Sequence, residues 1–169
     1  MIGPELPFTI STRDYSHFLM IYPLYLINID NGNKELIERS LHHWIGDPKG
    51  LQGYSYTGAS SISSAIGNGD QALEYLKGLH KFLLPNGLYK ESGPVFETPL
   101  SGAQSIQDML LQSWGGKIRV FPAVPREWKE ITFRNWLAEG AFEISAKLTD
   151  GKSEYIMIRS LAGSPCSFS

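Results

Sequence analysis

The chain is 169 residues long, with a formal net charge of −2, 42% hydrophobic and 19% charged residues. That length and apolar content suffice for a sizeable core and argue against long disorder. The near-neutral charge, without a basic block, disfavours nucleic acid and anionic membrane as partners.

No apolar run reaches the roughly 18 residues that a membrane helix needs. The stretch 17–29 comes closest, and Pro23 interrupts it. Cys166 is the only cysteine, so no intrachain disulfide can form and no cysteine cluster can hold a metal. His42, His43 and His80 lack the partner spacing of metal ligands, and no cofactor is expected. The start, MIGPELPFTIS, shows none of the charge, apolar core and cleavage site of a secretory signal. Localisation stays open.

Residues 1–14 hold two prolines and no helical period, and read as an extended lead-in. Residues 16–29 suit a mostly buried helix bent or broken near Pro23. DNGN at 30–33 is turn chemistry. In 34–45, Ile37, Leu41 and Trp44 form a helical stripe. The Gly-, Ala- and Ser-rich stretch 51–69 keeps helical spacing at Ala59, Ile62 and Ile66, and its small residues allow close helix packing. Asp70 is placed to cap a helix over 71–84, and Ser101 to cap one over 102–114 that Gly115-Gly116 would stop.

Beyond Gly116 the period changes from about 3.6 to about 2. KIRVFPAVP alternates, and 131–160 read as three strands turning at Glu139-Gly140 and Asp150-Gly151. Helices first and strands last predict an α+β chain, with helices over 1–116 and a β-strand domain over 117–169.

QDMLLQSWGGKIRVFPAVPREW, followed by FRNWLAEGAFEISAKLTDGK, closely resembles the C-terminal end of the enzymes of glycoside hydrolase family 95, which are α-L-fucosidases and some α-L-galactosidases. TRDYSHFLMIYP resembles their His-Arg-His-x-Ser-His-Leu segment and the Tyr-Pro after it. GYSYTGASSISSAIGNGDQALEYL resembles their Gly-Trp-Ser helix and following turn. The likeness runs in order over nearly the whole chain. It implies the last helices of an (α/α)6 toroid over 1–116, followed by the first antiparallel strands of a C-terminal β-sandwich over 117–169. It also implies a fragment of an inverting glycosidase acting on an oligosaccharide substrate.

Inversion needs one acid on the leaving oxygen and one base holding water on the opposite face. Counting back from Met109, Glu97 falls on the family's base, with Thr98-Pro99 where the family has Gly-Asn. The resemblance makes Glu97 the general base on a loop braced by Pro94 and Pro99; the residues alone allow a solvated loop acid or a helix cap. Arg13 falls on a sugar-binding position, where a guanidinium fork can hold two oxygens; a surface ion pair is the alternative. Asp14 stands where the family has its second histidine. His17 matches the family, and also reads as a buried histidine paired for structure. Gly58 replaces a tryptophan, so Tyr54 and Tyr56 are candidate platforms for a sugar ring, or plain packing aromatics. Tyr89, Glu91 and Phe96 lie near Glu97 in sequence and could line the same opening. The family's acid and paired asparagines belong to earlier barrel segments, so the chain alone is expected to hydrolyse little. The competing expectation is a non-catalytic carbohydrate-binding or self-assembling module whose exposed helix faces meet in a homo-oligomer.

Overall fold

The computed structural model describes residues 12–91 and 94–166. Most of the extended lead-in expected over 1–14 lies outside them. The architecture is α+β, with helices α1 (Lys34–Ile45), α2 (Gly53–Ala65), α3 (Gly69–Gly78) and α4 (Glu97–Leu110). Two-residue strands β1 (Tyr89–Lys90) and β2 (Pro94–Val95) pair just ahead of α4. After it come β3 (Leu111–Trp114), β4 (Lys117–Val120), β5 (Glu130–Ala138), β6 (Phe142–Thr149) and β7 (Lys152–Ser160). The hairpin β3–β4 and the meander β5–β6–β7 are antiparallel.

The helix expected over 16–29 is not formed. Short 3-10 turns at Ser16–Phe18 and Ile29–Asn31 flank irregular backbone, since Pro23 can neither donate to a helix nor tolerate its preceding turn. The segment is buried nonetheless: Phe18, Ile21 and Tyr22 join Ile37, Leu41 and Trp44 of α1 and Ile62 of α2 in one core cluster. The stripe read from α1 is therefore its buried face.

Helix α2 is buried almost all round, which explains why it shows no polar stripe. It meets α4 through small hydroxyl residues. Ser105 Oγ donates to the Thr57 carbonyl at 2.9 Å and lies 3.1 Å from Ser61 Oγ, while Thr57 and Ser101 hydroxyls pair directly. Each buried hydroxyl so paired avoids a desolvation cost of about 1–3 kcal/mol. Where the family has a tryptophan, Gly58 leaves room for Tyr15: a Cβ at Gly58 would run into the Tyr15 ring.

The caps differ from those expected. Asn68 caps α3, its side chain accepting from Gln71 N–H, while Asp70 sits in the first turn and pairs with Arg126 at 2.5 Å. Ser101 lies inside α4, which begins four residues earlier. Pro99 fits there because first-turn N–H groups have no intrahelical acceptor. Helix α4 stops at Leu110 because Leu111–Trp114 pair with Lys117–Val120. Gly115 and Gly116, both at positive φ, form the two-residue turn of that hairpin rather than a helix stop. Asp150-Gly151 does the same between β6 and β7, as its sequence predicts. The expected boundary between 116 and 117 coincides with the start of β4, directly after the Gly115-Gly116 turn. A second core joins Ala72 of α3 and Met109 of α4 to Ile118, Phe133, Ile144 and Ala146 of the strands.

Filling the space over Gly58 tests this packing. Gly58→Ala should lower stability by about 1–3 kcal/mol through overpacking against Tyr15, despite the better helix propensity of alanine. A urea midpoint equal to or above wild type would contradict it.

Candidate active site

Four of the predicted residues converge where the first turns of α2 and α4 approach Arg13. Arg13 Nη2 donates to Glu97 Oε1 at 2.8 Å, Nη1 to Asp14 Oδ1 at 3.0 Å, and Nε to Glu91 Oε2 at 2.5 Å. Its guanidinium carbon lies 4.9 Å from the centroid of the Tyr54 ring, and that ring stacks on Tyr15 at 5.2 Å. The fork that could have held two sugar oxygens is thus spent on three carboxylates, and Tyr54 is already engaged by Arg13 and Tyr15.

Glu91 organises the cluster. Its side chain is fully buried, whereas those of Arg13 and Glu97 are 22% and 53% exposed. Besides Arg13 it accepts from Tyr54 N–H at 3.0 Å, in the first turn of α2, and from the Thr98 hydroxyl, in the first turn of α4. A carboxylate is favoured there because the first turn of a helix presents unpaired N–H groups and positive partial charge. Gly53 makes the approach possible, since a Cβ on it would sit 2.8 Å from Glu91 Oε1 and 2.9 Å from Thr98 Cγ2. The weak sign available in the sequence was proximity: Glu91 lies six residues before Glu97.

Glu97 is the first residue of α4 rather than a loop acid. Its own backbone N–H and then the Arg13 guanidinium hold its carboxyl below the usual glutamate range. It is therefore an ionised carboxylate at neutral pH, half open to solvent. Phe96 and Leu100 beside it are largely exposed, so an apolar surface borders the charge.

The other predicted residues lie apart. Tyr56 packs against Gly78 and Phe82 and takes Lys81 over its ring at 5.6 Å. Two positions along a helix point in different directions, which separates it from Tyr54. His17 packs against Phe18 at 4.1 Å and edge-on to Trp44 at 5.6 Å. Burial pushes its pKa down to about 4, so its imidazole is neutral at pH 7. A cavity of about 390 Å³ lies behind Glu91, walled by Leu51, Gln52, Lys81, Phe82 and Lys90. Among the described residues no group of three His, Cys, Asp or Glu side chains could hold a metal ion, and no helix is long and apolar enough to cross a membrane.

Helix α4 carries the cluster at one end and runs directly into β3 at the other. Residues 112–169, beginning on β3, match the family model described as glycoside hydrolase family 95, C-terminal domain. No curated protein matches the chain. The matched segment starts two residues after α4 ends, so Glu97 and that segment share one continuous stretch of backbone.

Removing the organising carboxylate should be costly. Glu91→Ala leaves Arg13 without its buried partner and should destabilise by about 3–5 kcal/mol; a loss below about 1 kcal/mol in urea unfolding would show that Glu91 is not the anchor.

His17 carries a pH signature. Its contribution is fully present above the unfolded value of 6.5 and is lost as pH falls toward about 4, because only the unfolded chain takes up the proton in that window. The urea midpoint of His17→Gln should accordingly change less than that of wild type between about pH 7.5 and about pH 4.5. Equal changes in the two proteins would refute the assignment.

Proposed function

We propose that the chain supplies the water-activating side of an inverting, α-L-fucosidase-like glycosidase, with Glu97 as general base. The observation that carries this reading is the state of Glu97: an ionised, half-exposed carboxylate fixed at the start of α4 by Arg13. A base that holds water must be unprotonated and fixed in direction, and both conditions hold. Phe96 offers an apolar face beside it, of the kind on which a sugar ring can rest. In this reading Arg13 orients the base and sets its charge rather than gripping the sugar. The acid that protonates the leaving oxygen comes from outside these residues, so an oligosaccharide is hydrolysed only when that acid is supplied.

The second reading is a non-catalytic carbohydrate-binding or self-assembling module. The three-carboxylate engagement of Arg13 favours it, because an ion pair that locks Glu97 would also keep it from a water proton.

Aryl α-L-fucosides and aryl α-L-galactosides, assayed with the chain and with the longest reading frame containing it, separate the two. Under the catalytic reading the longer protein is active, and Glu97→Gln lowers kcat by about 10²–10⁴-fold. Azide, which attacks without needing a base, should restore turnover and give a glycosyl azide of inverted configuration. Unchanged turnover in Glu97→Gln would remove Glu97 from the mechanism, and an inactive longer protein that still binds sugar would favour the module.

A further inference from the structure

The catalytic proposal uses only the first turn of α4. The C-terminal half of that helix carries polar groups that it leaves unused. A cavity of about 300 Å³ opens there, with Tyr25, Gln104, Gln107, Asp108, Trp136 and Leu137 in its lining. Asp108 is 5% exposed. Its Oδ1 accepts from Gln104 Nε2 at 2.8 Å, and its buried Oδ2 has no hydrogen-bond partner. Burial raises its pKa; the amide of Gln104 and the nearby hydroxyls of Ser61 and Tyr22 oppose that rise, although neither hydroxyl reaches hydrogen-bonding geometry with Oδ2. An acceptor left unsatisfied at this depth costs about 1–3 kcal/mol and calls for a donor.

The backbone beside the cavity enters the left-handed region at two places. Tyr25 has φ +51°, a conformation that aromatic residues rarely adopt. Asn135 has φ +57° within an irregularity of the β5–β6 register between Phe133 and Trp136. Bulges of this kind re-aim the side chains that follow, here Trp136 and Leu137. The Tyr25 backbone is held at a cost of about 1–3 kcal/mol, whereas asparagine tolerates the left-handed region at Asn135.

The lining selects the ligand class. It contains no lysine, arginine or histidine, which disfavours an anion. It offers a carboxylate, side-chain amides that both donate and accept, and the indole of Trp136, which stacks on Phe133 at 4.6 Å. Neighbouring hydroxyls of a neutral polyol would donate to Asp108 and accept from the glutamines, while a C–H face would lie against the aromatic ring. The geometry points to a saccharide-binding subsite for a single sugar ring, distinct from the Glu97 cluster. The two are eleven residues apart on α4, about 16 Å along its axis. This subsite does not depend on the catalytic reading and stands if Glu97 is inert.

Nitrogen-edited NMR of the whole chain tests it, following the Gln104 and Gln107 amides and the Trp136 indole N–H. L-Fucose, D-galactose and D-glucose are titrated as neutral probes and D-glucosamine as a cationic one. At least one neutral sugar should shift all three groups with a millimolar Kd. Trp136→Ala and Gln107→Ala should each weaken it by about tenfold; Gln107 is exposed, so its replacement leaves the fold intact. The proposal is overturned if no neutral sugar shifts these groups. It also fails if the shifts fall only around Arg13 and Glu97, if glucosamine alone binds, or if Gln107→Ala binds as wild type does.

Discussion

The arrangement around the candidate site depends on one buried carboxylate. Glu91 lies where two helix N-termini and a guanidinium would otherwise leave donors unpaired, and it accepts from all three. Desolvating a carboxylate is expensive, and such a group is retained only when its oxygens are satisfied. Here Tyr54 N–H, the Thr98 hydroxyl and Arg13 satisfy them. The direction of Arg13, and through it that of Glu97, follows from this anchor, while Gly53 provides the space for it.

A second constraint is the way α4 connects two packing regimes. Toward α2 its contacts are hydroxyl to hydroxyl and hydroxyl to carbonyl, a polar but satisfied interface. Toward the strands Met109 and Leu110 enter an apolar core with Phe133 and Ile144. The helix thereby ties the Arg13–Glu91–Glu97 cluster to the strands that follow it. A stacked column fastens the other end: Arg119 lies 3.4 Å over Trp114, Trp114 stacks on Tyr25 at 4.7 Å, and Asp30 accepts from Arg119 at 2.6 Å. This column pins the irregular segment after His17 to the β3–β4 hairpin, replacing the helix that Pro23 forbids.

Much of this was legible in residue order wherever the signal is local. The α1 stripe and the Asp150-Gly151 hairpin follow from periodicity and turn chemistry alone. The errors arose where one local signal had two outcomes. A Gly-Gly pair can stop a helix or turn a hairpin, and Lys117–Val120 pairing back onto Leu111–Trp114 decided for the hairpin. Asp70 and Ser101 have capping side chains, yet Asn68 immediately precedes α3 while Asp70 lies inside its first turn, and α4 begins before Ser101. In the site, Arg13, Asp14, Tyr54 and Glu97 were found through the family resemblance and are brought together here, whereas Tyr56 and His17 pack elsewhere.

The sequence by itself determined the order of helices and strands, the α+β class and the resemblance to family 95, because periods of about 3.6 and about 2 and short motifs are properties of neighbouring residues. Only the tertiary structure decided that Glu91, rather than a proline-braced loop, holds the site together. Only it showed that Arg13 serves carboxylates and that Tyr15 fills the space above Gly58. These outcomes turn on which groups meet across 37 to 84 positions of chain and on what desolvation costs once they do, and neither is written in any local pattern.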